Sequence, residues 1–289
     1  MSYRVRIVVA ALSIVAFGTF NAACTESDEP VDQPDQFVFG GDRPVELRVP
    51  VAYDHAEPTP LLIVLHGYSA AGVVELVYAR LDTLVDGRGV LVAAPDGTID
   101  TSDNRFWNLT DQGVDDVAYI NGLVDEISGV WNVDPNQVIL FGHSNGSFLA
   151  YRMACEHADK YAAIVGLAGA MYIDEADCQP SQAVSVLHVH GDADDSILYD
   201  GDTGYASADD STAYWANYNG CAATRTLSPD RLDLIGQVDG AETRVEQHDD
   251  CPAGGAVDLW TLEGGSHIPM ILQAFPTHVW DWVQAHTKP

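Results

Sequence analysis

Apolar residues recur along the chain in two kinds of run. The first kind is continuous and rich in β-branched residues: LLIVLHG (61–67), VLVAAPDG (90–97), VILFGHS (138–144), AAIVGLAG (162–169), SVLHVHGD (185–192) and VDLWTLEGG (257–265). Each closes on turn-forming residues. Runs that are apolar on both faces predict strands of a parallel sheet covered on both sides, because a sheet with one wet face would alternate. The second kind has helical spacing. DDVAYINGLVDEISGVW (115–131) places Val117, Ile120, Leu123, Val124 and Ile127 on one face, with acids at its start. SFLAYRMACEHA (147–158) also reads as a helix. PTHVWDWVQAH (276–286) does too, opening on Pro with Val279, Trp280 and Val283 on one face. Strands alternating with helices predict an α/β architecture with right-handed crossovers. FVFGG and VELRVP, within 36–57, read as one or two antiparallel edge strands. Residues 200–256 are the least regular part. There STAYWANYNGC predicts a helix ending at Asn219-Gly220, and TRVEQHDDC predicts a strand beside the last one. The pattern holds no internal repeat and no long apolar lid insertion.

Composition narrows the picture. At 289 residues and 47% hydrophobic, the chain can bury one sizeable core. Its 43 acids against 13 Lys and Arg give a net charge of −30, which argues against nucleic acid or an anionic membrane surface as partner. The N-terminus carries Arg4 and Arg6, an apolar stretch from Ile7 to Phe17, and then Asn21-Ala22-Ala23-Cys24. That is a targeting segment too short for a comfortable membrane span. Its end resembles a bacterial lipobox with Cys24 as the lipidated residue; plain secretion is the alternative. The expected organisation is a signal peptide over 1–23, a disordered acidic tether over 24–36 and one catalytic domain over 37–289. Four further cysteines, Cys155, Cys178, Cys221 and Cys251, allow three disulfide connectivities in an exported chain. The sequential pairing closes the shortest loops and is the expected one. No C-x-x-C pair suggests zinc.

The chemistry centres on Gly142-His143-Ser144-Asn145-Gly146, a G-x-S-x-G between a predicted strand and a predicted helix. A serine hydroxyl needs a base, a carboxylate behind the base, and N–H donors aimed at the oxyanion. The base expected is His267, in the Gly-rich loop after the last predicted strand; His143, His278 and His286 are its rivals. The acid should follow a strand between the two. His190-Gly191-Asp192-Ala193-Asp194-Asp195 supplies it, with Asp194 the choice and Asp192 and Asp195 the alternatives. The same acidic cluster, with Asp200 and Asp202, has a second reading as a Ca²⁺ site, but its spacing is not that of an EF-hand loop. Oxyanion donors are expected from the backbone of Asn145 and of Tyr68, with Ser69 the alternative to Tyr68. His66 is read as holding that loop.

Ser, Asp and His in this order, each after a predicted strand, is the order of α/β-hydrolases. LHGYS, PDGT, RFWN followed by DDVAYI, VDPNQVILFGHSNGSFLAYRMAC, HGDADDSILYDG, NGC and EGGSH together resemble the exported esterases grouped with poly(3-hydroxybutyrate) depolymerases and feruloyl esterases. The resemblance spans roughly residues 40–285. It implies an α/β-hydrolase fold with a mostly parallel sheet and no large lid. It also implies Ser144 as nucleophile in a GxSNG-type elbow, Asp194 as the acid of an HGxxD stretch, and His267 as the base of a GGxH stretch. Paired disulfides of the sequential kind are implied as well. Ser147, Asp195 and Ile268 stand where the family often has Gly, Pro and Trp, which leaves the substrate open.

Trp107 and Tyr199 are read as substrate-contacting aromatics, with loop anchoring the alternative for Trp107. The expected activity is that of an exported serine esterase acting on polyhydroxyalkanoate-type or on feruloyl or acetyl polysaccharide esters. No cofactor or metal is expected. The chain should be monomeric and touch membranes only through its lipid anchor. The competing readings are a serine peptidase of the same fold and a binding lipoprotein without turnover.

Overall fold

A computed structural model describes residues 34–171 and 175–289. The targeting segment, Cys24 and nearly all of the tether lie outside the described residues. The first half of the chain runs β1 (Val38–Phe39), β2 (Val45–Glu46), β3 (Thr59–Leu65), α1 (Gly72–Tyr78), α2 (Leu84–Arg88), β4 (Leu91–Ala93), β5 (Thr98–Ile99), β6 (Arg105–Phe106) and α3 (Asp116–Ser128). It continues through β7 (Val133–His143), α4 (Asn145–Glu156), β8 (Ala163–Leu167), β9 (Ser185–Gly191), α5 (Ala208–Asn219), β10 (Arg225–Leu227), β11 (Thr243–His248), β12 (Val257–Leu262) and α6 (Phe275–Ala285).

Eight strands form the central sheet, in the order β10-β11-β12-β9-β8-β7-β3-β4. The six from β12 to β4 are parallel, and β11 and β10 add antiparallel at one edge. The chain leaves β3 for β4 on one side, then crosses back to β7 on the other. That reversal opens a crevice at the carboxyl ends of β3 and β7.

Alternation along the strands sorts the core into two layers. Leu61, Ile63, Leu65, Val138 and Leu140 pack with Ile120 of α3, Leu149 and Tyr151 of α4, and Trp215 of α5. Leu62, Val64, Ile139, Phe141, Leu187 and Val189 pack with Leu76, Leu84 and the α6 residues Val279 and Trp280. Both faces of the sheet are therefore dry, as the continuous apolar runs predict, and the fold is that of an α/β-hydrolase with no lid domain among the described residues.

One expectation needs correction. FVFGG and VELRVP do not extend the sheet edge. They make a separate hairpin of two-residue strands, β1 with β2, turned at Gly40 and Gly41, which both have positive φ. An isolated bridge between Arg48 and Val92 reaches the sheet. Residues 72–88 fold into α1 and α2, which the apolar pattern does not announce. On α1 Val73, Val74 and Val77 are exposed, while Glu75 is buried beside Leu76.

Elsewhere the pattern and the fold agree. α5 ends at Asn219 with Gly220 in the left-handed region, and Ser207 caps its start on the Asp210 amide. β11 lies antiparallel beside β12. Disulfides join Cys155 to Cys178 and Cys221 to Cys251. The first ties the end of α4 to the segment before β9, and the second ties the end of α5 to the end of β11.

Candidate active site

Ser144 sits between β7 and α4 with φ 52° and ψ −119°, an uncommon conformation for a residue other than glycine. The turn is tight enough to demand its glycines. A Cβ on Gly142 would lie 2.3 Å from the Gly146 carbonyl oxygen, and one on Gly146 would lie 2.2 Å from that of Leu65. The Ser144 amide donates to the Leu167 carbonyl at 2.9 Å, pinning the elbow to β8. The strained turn lifts the side chain off the strand end and directs it at the head of α4.

The three side chains expected to act together are brought together. His267 Nε2 is 2.9 Å from Ser144 Oγ, and His267 Nδ1 is 2.8 Å from Asp194 Oδ2. The loops that carry acid and base are clasped to each other. Asp192 accepts from the Gly264 amide at 2.6 Å, and the Ala193 amide donates to the Gly265 carbonyl at 3.1 Å. Asp192 is thus a loop tie, and Asp195 points to solvent. Asp194 is buried, and its other oxygen, Oδ1, accepts from the amides of Ser196 and Ile197 at 2.8 and 2.9 Å. Burial alone would raise its pKa. Donors from His190, His267, Ser196 and Ile197 outweigh burial and hold the carboxyl well below the usual carboxylate range.

Oxyanion donors are available where the loops meet. A Cβ on Gly67 would lie 3.4 Å from Ser144 Cβ, so the loop after β3 runs directly against the serine. The Ser69 amide is already bonded to the Arg105 carbonyl at 2.8 Å, which removes it as a donor. Among the described residues the amides of Tyr68 and Asn145 donate to nothing. His66 holds this loop from beneath: its Nδ1 donates to the Gly67 carbonyl at 2.7 Å and its Nε2 accepts from the Gly97 amide at 2.9 Å. Burial lowers its pKa, which suits the neutral ring that this pattern requires.

Trp107 is not a substrate-contacting ring. It is only 1% exposed, its indole N–H donates to the His66 carbonyl at 2.9 Å, and its backbone is gripped by the Asn145 side chain at 2.6 and 3.1 Å. It is a loop anchor, because a buried indole must place its N–H on an acceptor and the nearest lies under the oxyanion loop. Tyr199 is half-buried, its hydroxyl within 2.8 Å of Thr261 Oγ1 and its ring edge-on to His190. The apolar side chains that do stand exposed beside the site are Tyr68 and Ile268, the chain neighbours of Gly67 and His267. Ser147 lies in the first turn of α4, fully buried, with no hydrogen-bond partner for its hydroxyl among the described residues.

A buried pair behind Ser144 leaves no sign in the amino-acid sequence. His143, a rival for the base, is 6% exposed and directed away from Ser144 chemistry: its Nδ1 is 3.2 Å from Glu75 Oε2 and its Nε2 3.1 Å from the His267 carbonyl. Against the Glu75 carboxylate and the His267 carbonyl, both ring nitrogens are placed to donate. Burial opposes a charge on the ring, but the Glu75 carboxylate beside it raises the pKa above the ordinary histidine value. Tyr78 stacks on His143 and donates to the Pro269 carbonyl at 2.8 Å, so the base loop is held at two carbonyls.

Among the described residues no group of three or more His, Cys, Asp or Glu is arranged to hold a metal ion. Asp200, Asp202 and Asp210 instead line an open hollow of about 570 Å³ beside Tyr205 and Tyr214.

Comparison with known proteins follows the fold. Residues 96–218 match the family described as Phospholipase/Carboxylesterase. The chain is similar to the bifunctional acetylxylan esterase/xylanase XynS20E of Neocallimastix patriciarum, 25% identical with 84% of this chain and 33% of that protein covered. It is also similar to feruloyl esterase B of Piromyces equi, 24% identical with 86% of this chain and 46% of that protein covered. The chain thus spans less than half the length of either relative. An acetyl xylan esterase from Aspergillus awamori shares its fold, with a TM-score of 0.59 at 13% identity over 84% of this chain and 94% of that one. Family match, relatives and shared fold agree with the sheet order and the elbow described above: the chain has the α/β-hydrolase fold, and the relatives it is similar to are esterases.

Proposed function

We propose that this protein is a serine esterase that hydrolyses carboxylic esters through Ser144, His267 and Asp194. The observation that carries this reading is the pair of short contacts joining the three side chains, 2.9 Å from Ser144 to His267 and 2.8 Å from His267 to Asp194. Ser144 Oγ attacks the ester carbonyl as His267 Nε2 takes its proton. Asp194, ionised and locked by four donors, keeps His267 Nδ1 protonated and steadies the imidazolium. The Tyr68 and Asn145 amides receive the developing oxyanion, helped by the N-terminus of α4. Collapse expels the alcohol, which leaves with the proton from His267. Water then repeats the sequence on the acyl-enzyme.

The substrate class is a feruloyl or acetyl ester on polysaccharide, in line with the activities named for the two relatives. A polyhydroxyalkanoate oligomer is the second choice. The exposed Tyr68 and Ile268 would face its acyl or alcohol part. Export is part of the same reading: two disulfides fit an oxidising compartment, and the N-terminal pattern ends in Cys24 as a lipid anchor.

Hydrolysis of p-nitrophenyl acetate tests the assignment. The Ser144→Ala variant should lose at least about a thousandfold in kcat. Equal rates for the two proteins would sink it. Methyl ferulate, acetylated xylan, polyhydroxybutyrate film and peptide anilides then sort the substrate; cleavage of the anilides alone would overturn the esterase reading.

A further inference from the structure

Three buried side chains beyond the acid line up behind it. Tyr151 of α4 and His188 and His190 of β9 are each fully buried. His188 and His190 are two residues apart on a strand, so they share a face, and that face meets α4. The distances run 2.6 Å from Tyr151 Oη to His188 Nδ1, 3.1 Å from His188 Nε2 to His190 Nδ1, and 3.2 Å from His190 Nε2 to Asp194 Oδ2.

One carbonyl fixes the first proton in this line. The Ile197 carbonyl lies 2.8 Å from His190 Nε2 and can only accept, so that nitrogen bears the hydrogen, shared with Asp194 Oδ2. Where that is the ring's one proton, Nδ1 is a lone pair that accepts, and the group facing it is His188 Nε2, which then donates. His188 Nδ1 becomes the acceptor for the Tyr151 hydroxyl. The charge states agree with this placement. Burial drives the pKa of His188 well below the ordinary histidine value, so it carries one proton, and burial raises that of Tyr151, so it keeps its own.

A buried polar line of this kind is costly unless each member is satisfied, and apolar side chains of similar volume would pack the same space. Its members are fully buried, and its other end is the carboxylate oxygen that also receives His267. We propose that Tyr151 and His188 are positioning residues: a one-way hydrogen-bond chain, Tyr151 to His188 to His190 to Asp194, holds the acid in the orientation that His267 needs. This rests on the esterase reading above.

Long-range proton–nitrogen correlation spectra of the unaltered protein give the first test. His188 and His190 should both read as neutral rings protonated at Nε2. Either one protonated at Nδ1 or at both nitrogens would overturn the chain. Kinetics on p-nitrophenyl acetate give the second. His188→Leu should lower kcat about tenfold with KM changed less than about twofold, the rate equivalent of one lost hydrogen bond. Tyr151→Phe should lower kcat about threefold, because the Ile197 carbonyl still orients His190. His188→Gln can accept from Tyr151 and donate to His190, so it should recover most of the loss. A folded His188→Leu with unaltered kcat, or a Gln variant no better than Leu, would overturn the proposal. An active Ser144→Ala would instead defeat the esterase reading. If Ser144→Ala is inactive while His188→Leu is unaffected, only the chain fails. Should His188→Leu not fold, the tautomers of the unaltered protein decide.

Discussion

Two buried histidine clusters flank the same three residues, and they differ in charge. Behind the acid, His188 is neutral: its neighbours are a phenol and another imidazole, and burial is unopposed. Behind Ser144, His143 is just as enclosed, yet it faces two acceptors, the Glu75 carboxylate and the His267 carbonyl, and its pKa is raised. Burial sets the cost of a charge, and one carboxylate within hydrogen-bond distance decides whether that cost is met. The two clusters hold different things. The neutral one aims a side chain, Asp194. The charged one anchors backbone, since His143 holds the His267 carbonyl and Glu75 reaches toward the Gly67 amide at 3.5 Å.

Removing the carboxylate is the strongest way to break this contrast. Glu75→Gln should lower the unfolding free energy by about 3 kcal/mol, at the lower end for a broken buried pair because the imidazole can shed its proton. Urea unfolding measures it, and an unchanged midpoint would show that His143 needs no counter-charge.

The pH dependence sharpens the contrast with a smaller effect. His143 has a folded pKa above its unfolded value of about 6.5, so the folded state holds the extra proton. Its stabilisation is complete below about pH 6.5 and is lost as pH rises through the raised folded value. Melting temperatures of the unaltered protein should therefore fall over that range relative to His143→Gln, in which the pair is absent. Parallel curves would refute the assignment. His188 should add nothing of that sign, since its folded pKa is lowered.

A third buried histidine, His66, gives the smallest effect. Trp107→Phe removes the indole N–H from the His66 carbonyl and should cost about 1 kcal/mol of stability. KM for p-nitrophenyl acetate should stay the same, because the ring does not reach substrate. A large rise in KM would restore Trp107 as a binding residue.

Much of the fold was legible because strands dry on both faces leave continuous apolar runs, and the runs at 61–67, 138–144, 185–192 and 257–265 became β3, β7, β9 and β12. The meeting of Ser144, Asp194 and His267 was legible for a related reason. Each follows a strand, and parallel strands deliver their carboxyl ends to one edge. α1 was not legible, since its three valines face out and Glu75 is buried beside Leu76, against what helical periodicity reads. Trp107 was open between two roles, because composition cannot say whether an indole N–H will meet a carbonyl or solvent.

The amino-acid sequence by itself determined the order of elements, the elbow around Ser144, and an Asp and a His after later strands. These follow from local rules: steric demands at Gly142 and Gly146, strand periodicity, and turn residues at strand ends. Only the tertiary structure decided which buried polar groups face one another. Tyr151 meets His188 across 37 residues and Glu75 meets His143 across 68. Such pairs depend on strand register and helix rotation, which the summed packing of the whole core sets and no local pattern encodes.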